Sequence, residues 1–169
     1  MVIRRERPAD EPAVDAVTTA AFGAPGGAAP VETRLLGDLR TDPGWIPALS
    51  LVAEGPDGAV AGHVVCTRGE AGGAPALGLG PISVAPEHQR AGIGSALMHA
   101  VVAAAEARDE RLICLLGEPA YYSRFGFVTA AELGVGAPDP AWGAYFQARA
   151  LAPDGPRGPF AYAAPFRRL

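Results

Sequence analysis

Gln89-Arg90-Ala91-Gly92-Ile93-Gly94-Ser95 follows an apolar run and opens a helical one, and that arrangement reads as a cradle for an anion. Gly92 and Gly94 lack a Cβ, so the backbone can approach a bulky ligand closely. A helix beginning near Arg90 aims unpaired N–H groups and its positive dipole end at the same place. A phosphate or pyrophosphate fits such a site. The other side chains with chemical potential are scattered: Tyr121 and Tyr122 in the run YYSRFGF, Glu32, Glu118, three histidines (His63, His88, His99) and two cysteines. No CxxC or paired-His spacing connects them, so no protein-held metal is expected. Cys66 and Cys114 sit in the apolar runs HVVCTR and LICLL, where a cysteine acts as a small buried hydrophobe. All fourteen basic residues are arginine, which excludes a Schiff-base lysine and a phosphate loop of the GxxxxGK[ST] type.

The elements that must position these residues follow from periodicity and turn signals. Residues 2–5 alternate apolar and basic and read as a strand. Residues 8–22 read as a helix opened by Pro8, with Asp10 and Glu11 in its favourable first turn. The run GAPGGAAP is a loop and residues 31–40 a second helix. Residues 49–54 and 59–68 form an antiparallel hairpin around Gly55-Pro56-Asp57-Gly58. Residues 69–75 read as loop and 76–84 as the next strand, with a bulge expected at Pro81, which cannot donate a ladder hydrogen bond. A helix over 90–108, with Ile93, Leu97, Ala100, Val101 and Ala104 on one face, leads to an apolar strand at 111–116. Strand, helix, strand implies a parallel pair. A short helix at 119–125 is closed by Gly126, a strand follows from Phe127, and residues 142–151 and 159–163 suggest a terminal hairpin around Pro153-Asp154-Gly155-Pro156.

Composition bounds the reading further. At 169 residues with 49% hydrophobic and 19% charged residues, the chain reads as one folded domain over residues 1–169. No apolar run approaches the roughly 20 residues that span a bilayer, and the N-terminal sequence has no long apolar core, so no membrane and a cytoplasmic location are expected. The net charge of −4 with interspersed signs argues against a nucleic-acid partner.

Two motifs carry a resemblance. Gln89-x-x-Gly92-x-Gly94 after an apolar strand is similar to the Q/R-x-x-G-x-G/A signature of the GNAT acetyltransferase superfamily. Tyr122-Ser123-Arg124-Phe125-Gly126-Phe127 is similar to its later Tyr-x-x-x-Gly-Phe element. The matched order of elements covers roughly residues 2–127, and the run GEPAYYSRFGF looks like that of small bacterial predicted N-acetyltransferases. The resemblance implies an α/β (α+β) fold: a mixed, mainly antiparallel sheet with a central splayed parallel pair and helices on both faces.

It also implies acetyl-CoA as cosubstrate. Ile82, Ser83 and Val84 would face the pantetheine arm, and an N–H near Ile82 would polarise the thioester. Gln89 and the N–H groups of Arg90, Ala91, Gly92, Ile93, Gly94 and Ser95 would hold the pyrophosphate. Tyr122 would stand beside the sulfur as the general acid for the departing thiolate, with Tyr121 read as a core aromatic. Gly117-Glu118-Pro119 replaces an Asn that many members carry there. Glu32, Glu118 and His63 are the residues from which a general base would come, Glu32 and His63 also reading as a solvated helix residue and a satisfied core histidine. The implied reaction is transfer of acetyl to a primary amine of a small molecule or protein N-terminus by direct attack in a ternary complex. The other reading is a noncatalytic acyl-CoA-binding sensor or interaction module. Family members often dimerise through their C-terminal strands, and FAYAAPF is as compatible with a homodimer as with an ordinary strand.

Overall fold

A computed structural model describes residues 1–169. In chain order its regular elements are β1 (Val2–Arg5), α1 (Glu11–Phe22), α2 (Val31–Arg40), β2 (Ser50–Glu54), β3 (Val60–Ala71), β4 (Ala74–Val84), α3 (Ile93–Glu106), β5 (Leu112–Leu116), α4 (Pro119–Tyr122), β6 (Val128–Thr129), β7 (Val135–Gly136), β8 (Phe146–Ala150) and β9 (Gly158–Ala161). The sheet runs β1-β2-β3-β4-β5-β8-β6, with β9 beside the far end of β3 and β7 beside β9. Every pairing is antiparallel except β4 with β5 and β7 with β9.

Alternation along the strands sorts side chains to two faces. Leu51, Ala53, Val64 and Cys66 point to the larger core, where α3 lays Leu97, Met98, Val101 and Ala105. Val52 and Val65 point the other way, onto Val14 of α1 and Leu36 of α2. Helices thus cover both faces. On α3 the buried residues are Ile93, Leu97, Met98, Val101, Val102 and Ala105, and Ala100 and Ala104, expected on the same face, pack partly buried against this core.

Three expectations change. The stretch 69–75 is not a loop: β3 and β4 run through it and turn only at Gly72 (φ 56°) and Gly73 (φ 83°), two successive positive-φ residues as a tight hairpin demands. The glycines that read as breakers are seats for aromatic rings, since a Cβ on Gly69 would stand 2.9 Å from the Phe160 ring and one on Gly78 2.5 Å from that of Tyr162. Second, the terminal hairpin does not form. β8 pairs with β5 and β6, whereas β9 pairs with β3 at Glu70↔Ala161 and Ala71↔Phe160. The FAYAAPF segment therefore packs within its own chain, Phe160 buried beside Phe146 and Tyr162 stacked on Phe166. Third, α3 begins at Ile93 rather than Arg90, because Arg90 (φ 63°) and Gly92 (φ 85°) are left-handed and cannot be helical.

Candidate active site

Between β4 and α3 the chain makes a short turn at Pro86–His88, and Gln89 folds back so that its Nε2 donates to the Val84 carbonyl at 3.1 Å. Beyond it, the left-handed residues Arg90 and Gly92 swing the backbone around the end of α3. No backbone N–H from residue 90 to residue 95 donates to a backbone carbonyl, and no side chain caps the helix. Six consecutive donors are left over. Arg90, Gly92, Gly94 and Ser95 line a hollow of about 560 Å³, its opposite wall built by Tyr121 and Arg124. The Arg124 guanidinium lies 4.5 Å from the centre of the Tyr121 ring and its Nε donates to the Tyr121 carbonyl. A Cβ on Gly94 would stand 2.8 Å from the Tyr121 hydroxyl, so the glycine gives that ring its place. Two guanidinium groups, the helix dipole and free N–H donors converge with no carboxylate among the lining residues, the electrostatics of a diphosphate site.

The hollow continues into a gap in the sheet. β4 and β5 pair only at Leu77↔Ile113 and Gly78↔Cys114. Past that point β4 shifts register against β3 between Val64 and Cys66, at Gly80 (φ 140°) and Pro81, and leaves β5. Ala85 N–H donates to the Ala61 carbonyl. By the two-residue period, Ser83 and Ala85 therefore turn their backbone groups to β3, and Ile82 and Val84 turn theirs to the gap. The Val84 carbonyl already accepts from Gln89, and an extended chain bearing amides can pair with the Ile82 groups and the Val84 N–H as an added strand would. Ser83 is not brought there by its side chain, because its Oγ is buried against Thr18 Oγ1 at 3.0 Å on the α1 side. Ile93 likewise contributes only backbone, since its side chain is in the core.

Tyr122 stands at the far end of the gap. Its ring lies over Gly117, where a Cβ would fall 2.4 Å from Cε2, and meets Tyr121 and Phe127 edge-on, with centroids 4.9 and 6.2 Å away. The departure at residue 117 thus has a steric reason: any side chain there would displace the tyrosine. Burial, with Tyr121 alongside, pushes the Tyr122 phenol up to about 12, so it stays protonated at neutral pH. Tyr122 lines a second cavity of about 920 Å³, and Ile82 lines both cavities.

The residues from which a base was expected separate. Glu32 of α2 lines the second cavity, and its carboxylate enters no ion pair. Glu118 lines neither cavity. It is the N-cap of α4, its carboxylate accepting the Ala120 N–H at 3.4 Å. His63 is fully buried on the α1 side, its Nε2 2.8 Å from Ser50 Oγ and 3.3 Å from Glu6 Oε2, and does not reach the gap. Tyr121 and Arg124 are the site residues that sequence reasoning missed. Arg124 was visible as the one cation inside YYSRFGF, a helical turn from Tyr121.

The chain has recognisable relatives in sequence and in fold. A model of the acetyltransferase (GNAT) domain matches residues 47–129. The uncharacterized N-acetyltransferase YhbS of Escherichia coli K12 is 31% identical over 160 residues, covering 94% of this chain and 92% of that protein. The crystal structure of E. coli YhbS in complex with CoA superposes with a TM-score of 0.89 at 29% identity, over 99% of this chain and 92% of that one. A GNAT family acetyltransferase from Brucella melitensis in complex with acetyl-CoA superposes with a TM-score of 0.79 at 38% identity, over 98% and 97%.

Proposed function

Because the chain belongs to the GNAT acetyltransferase family, we propose that residues 1–169 act as one cytoplasmic N-acetyltransferase domain that moves acetyl from acetyl-CoA to a primary amine by direct attack in a ternary complex. The observation that carries this reading is the continuity of three parts: the six free N–H donors at 90–95, the open edge of β4 at Ile82 and Val84, and the Tyr122 phenol. They match, in order, a pyrophosphate, a pantetheine arm and a thioester sulfur.

In this mechanism the amine nitrogen, once it has lost a proton to Glu32 or to water, attacks the thioester carbonyl carbon. The carbonyl oxygen gains charge near the Ile82 N–H. The C–S bond then breaks, and Tyr122 donates its phenolic proton to the departing thiolate, recovering a proton from the acetylated nitrogen through solvent. Products are the N-acetyl amine and the CoA thiol. An acyl-cysteine route has no nucleophile, since Cys66 and Cys114 are fully buried and burial pushes both thiols up.

Calorimetric titration with acetyl-CoA, followed by thiol release across a panel of primary amines, tests the proposal. Saturable binding with amine-stimulated release is expected. Binding without stimulation by any amine would point instead to an acyl-CoA sensor.

A further inference from the structure

Beyond the thioester position the second cavity keeps going, and its lining differs from that of the first. Thirteen of its nineteen lining residues are hydrophobic. Phe22 and Leu35 come from α1 and α2, Trp142 and Phe166 from short 3₁₀ turns at 140–145 and 164–168, and Phe160 and Tyr162 from β9 and the segment after it. A volume of about 920 Å³ is in the range of pockets that enclose a whole small organic ligand, far more than an acetyl group occupies. Two carboxylate side chains line it, Glu32 and Asp139. Asp139 caps a short helical turn, its Oδ1 accepting the Ala141 N–H at 2.9 Å. Glu32 has no ion-pair partner within the chain and can receive an ammonium group. Arg167 is the only cation, and it is exposed.

We propose that the acceptor is a primary monoamine carried on a bulky aromatic or branched aliphatic body, with its ammonium group held by Glu32 and its apolar body among Phe22, Trp142, Phe166 and Tyr162. This rests on the acetyltransferase reading of the same site and names its substrate class. A polyamine or aminoglycoside would bring several charges to a lining of two carboxylate side chains among thirteen hydrophobic residues, leaving part of its charge desolvated without partners. An apolar body instead removes the aromatic lining from water. Transfer follows the balance given above: the amine is released from its ammonium form by loss of a proton to Glu32 or water, the N–C bond forms, the C–S bond breaks, and the CoA thiol leaves.

The test compares phenethylamine, tryptamine and isoamylamine with ethanolamine, spermidine and kanamycin. It reads kcat/KM by thiol release and, separately, amine binding by saturation-transfer NMR with CoA present. The expected result is kcat/KM for the apolar amines at least about tenfold above that for the polar ones. Glu32→Gln should raise KM for phenethylamine by about tenfold. Phe22→Ala, at an exposed position outside the core, should lower kcat/KM for phenethylamine severalfold. Preference for spermidine or kanamycin with acetyl-CoA still bound overturns this inference and leaves the acetyltransferase reading intact. Failure to bind acetyl-CoA overturns that reading, and the NMR measurement on the apolar amines then decides the cavity separately: no saturation transfer overturns the inference, and transfer lost in Glu32→Gln supports it.

Discussion

At the scale of single residues the site depends on where one phenol is held. Tyr122 is fixed by the missing side chain at Gly117 and by its edge contacts to Tyr121 and Phe127, and its surroundings raise its pKa to about 12. A group so raised is protonated throughout the neutral range and can donate without first being loaded. Two consequences are measurable together. Tyr122→Phe should lower kcat by roughly ten- to a thousandfold while the acetyl-CoA dissociation constant, read by calorimetry, stays within about threefold. The wild-type pH profile of kcat should show no descending limb between pH 7 and about pH 10, because no titration of Tyr122 falls there. A descending limb near pH 8 that disappears in the phenylalanine variant would show that the phenol is not raised, and an unchanged kcat in that variant would remove Tyr122 from the mechanism. The residue level was also where the sequence was most readable: Gln89, Gly92, Gly94 and Tyr122 announce themselves by type and spacing. Glu118 did not, because a carboxylate before a proline-opened helix looks the same whether it caps the helix or faces a substrate. Only the 3.4 Å contact to Ala120 N–H separates the two.

At the scale of elements, the loop from Gln89 to Gly92 sets the geometry of everything after it. Gly92 sits at φ 85° as the N-cap of α3, with open space where a Cβ would go, so substitution there is opposed by backbone strain alone. Gly92→Ala should cost about 1–2 kcal/mol of stability and, by turning the first N–H groups of α3, weaken acetyl-CoA binding by about tenfold. Denaturant melts and calorimetric titration of the same sample separate the two effects, and unchanged affinity would mean that the loop does not place those donors. The strands around the cleft were legible from alternation and from Pro81. The extents of β3 and β4 and the partner of β9 were not, because Gly69 and Gly78 look like breaks until Phe160 and Tyr162 are seen filling the space above them. A long-range contact of that kind leaves no local mark in the sequence.

Across the whole molecule, the helical layer of α1 and α2 is tied to the sheet by a buried polar knot. Glu6, after β1, receives Arg40 of α2 at 2.7 Å and lies 3.3 Å from His63 of β3, with the Ser50 hydroxyl also donating to it. Burial alone would raise the Glu6 carboxyl, but the hydrogen bond and charge of His63, the Ser50 hydroxyl and Arg40 outweigh it and hold the group at about 2. A carboxyl depressed in the folded state contributes stability above its unfolded value, and that contribution is lost as pH falls through the folded one. Unfolding free energy should therefore decline between about pH 4.5 and pH 2 by up to about 3 kcal/mol on account of this group. Glu6→Gln should be less stable at pH 7 and show a flatter acid limb, as measured by urea melts across that range. An equally steep limb in the variant would place the acid sensitivity elsewhere.

The six N–H groups at 90–95 carry one more consequence. With no acceptor inside the chain, their protons have nothing to shield them from exchange with solvent in the empty protein, whereas a bound diphosphate gives them acceptors. The segment that grips the cofactor is thus also a gauge of it, one whose reading in deuterated water tracks occupancy directly, with no need for an acceptor amine or for turnover.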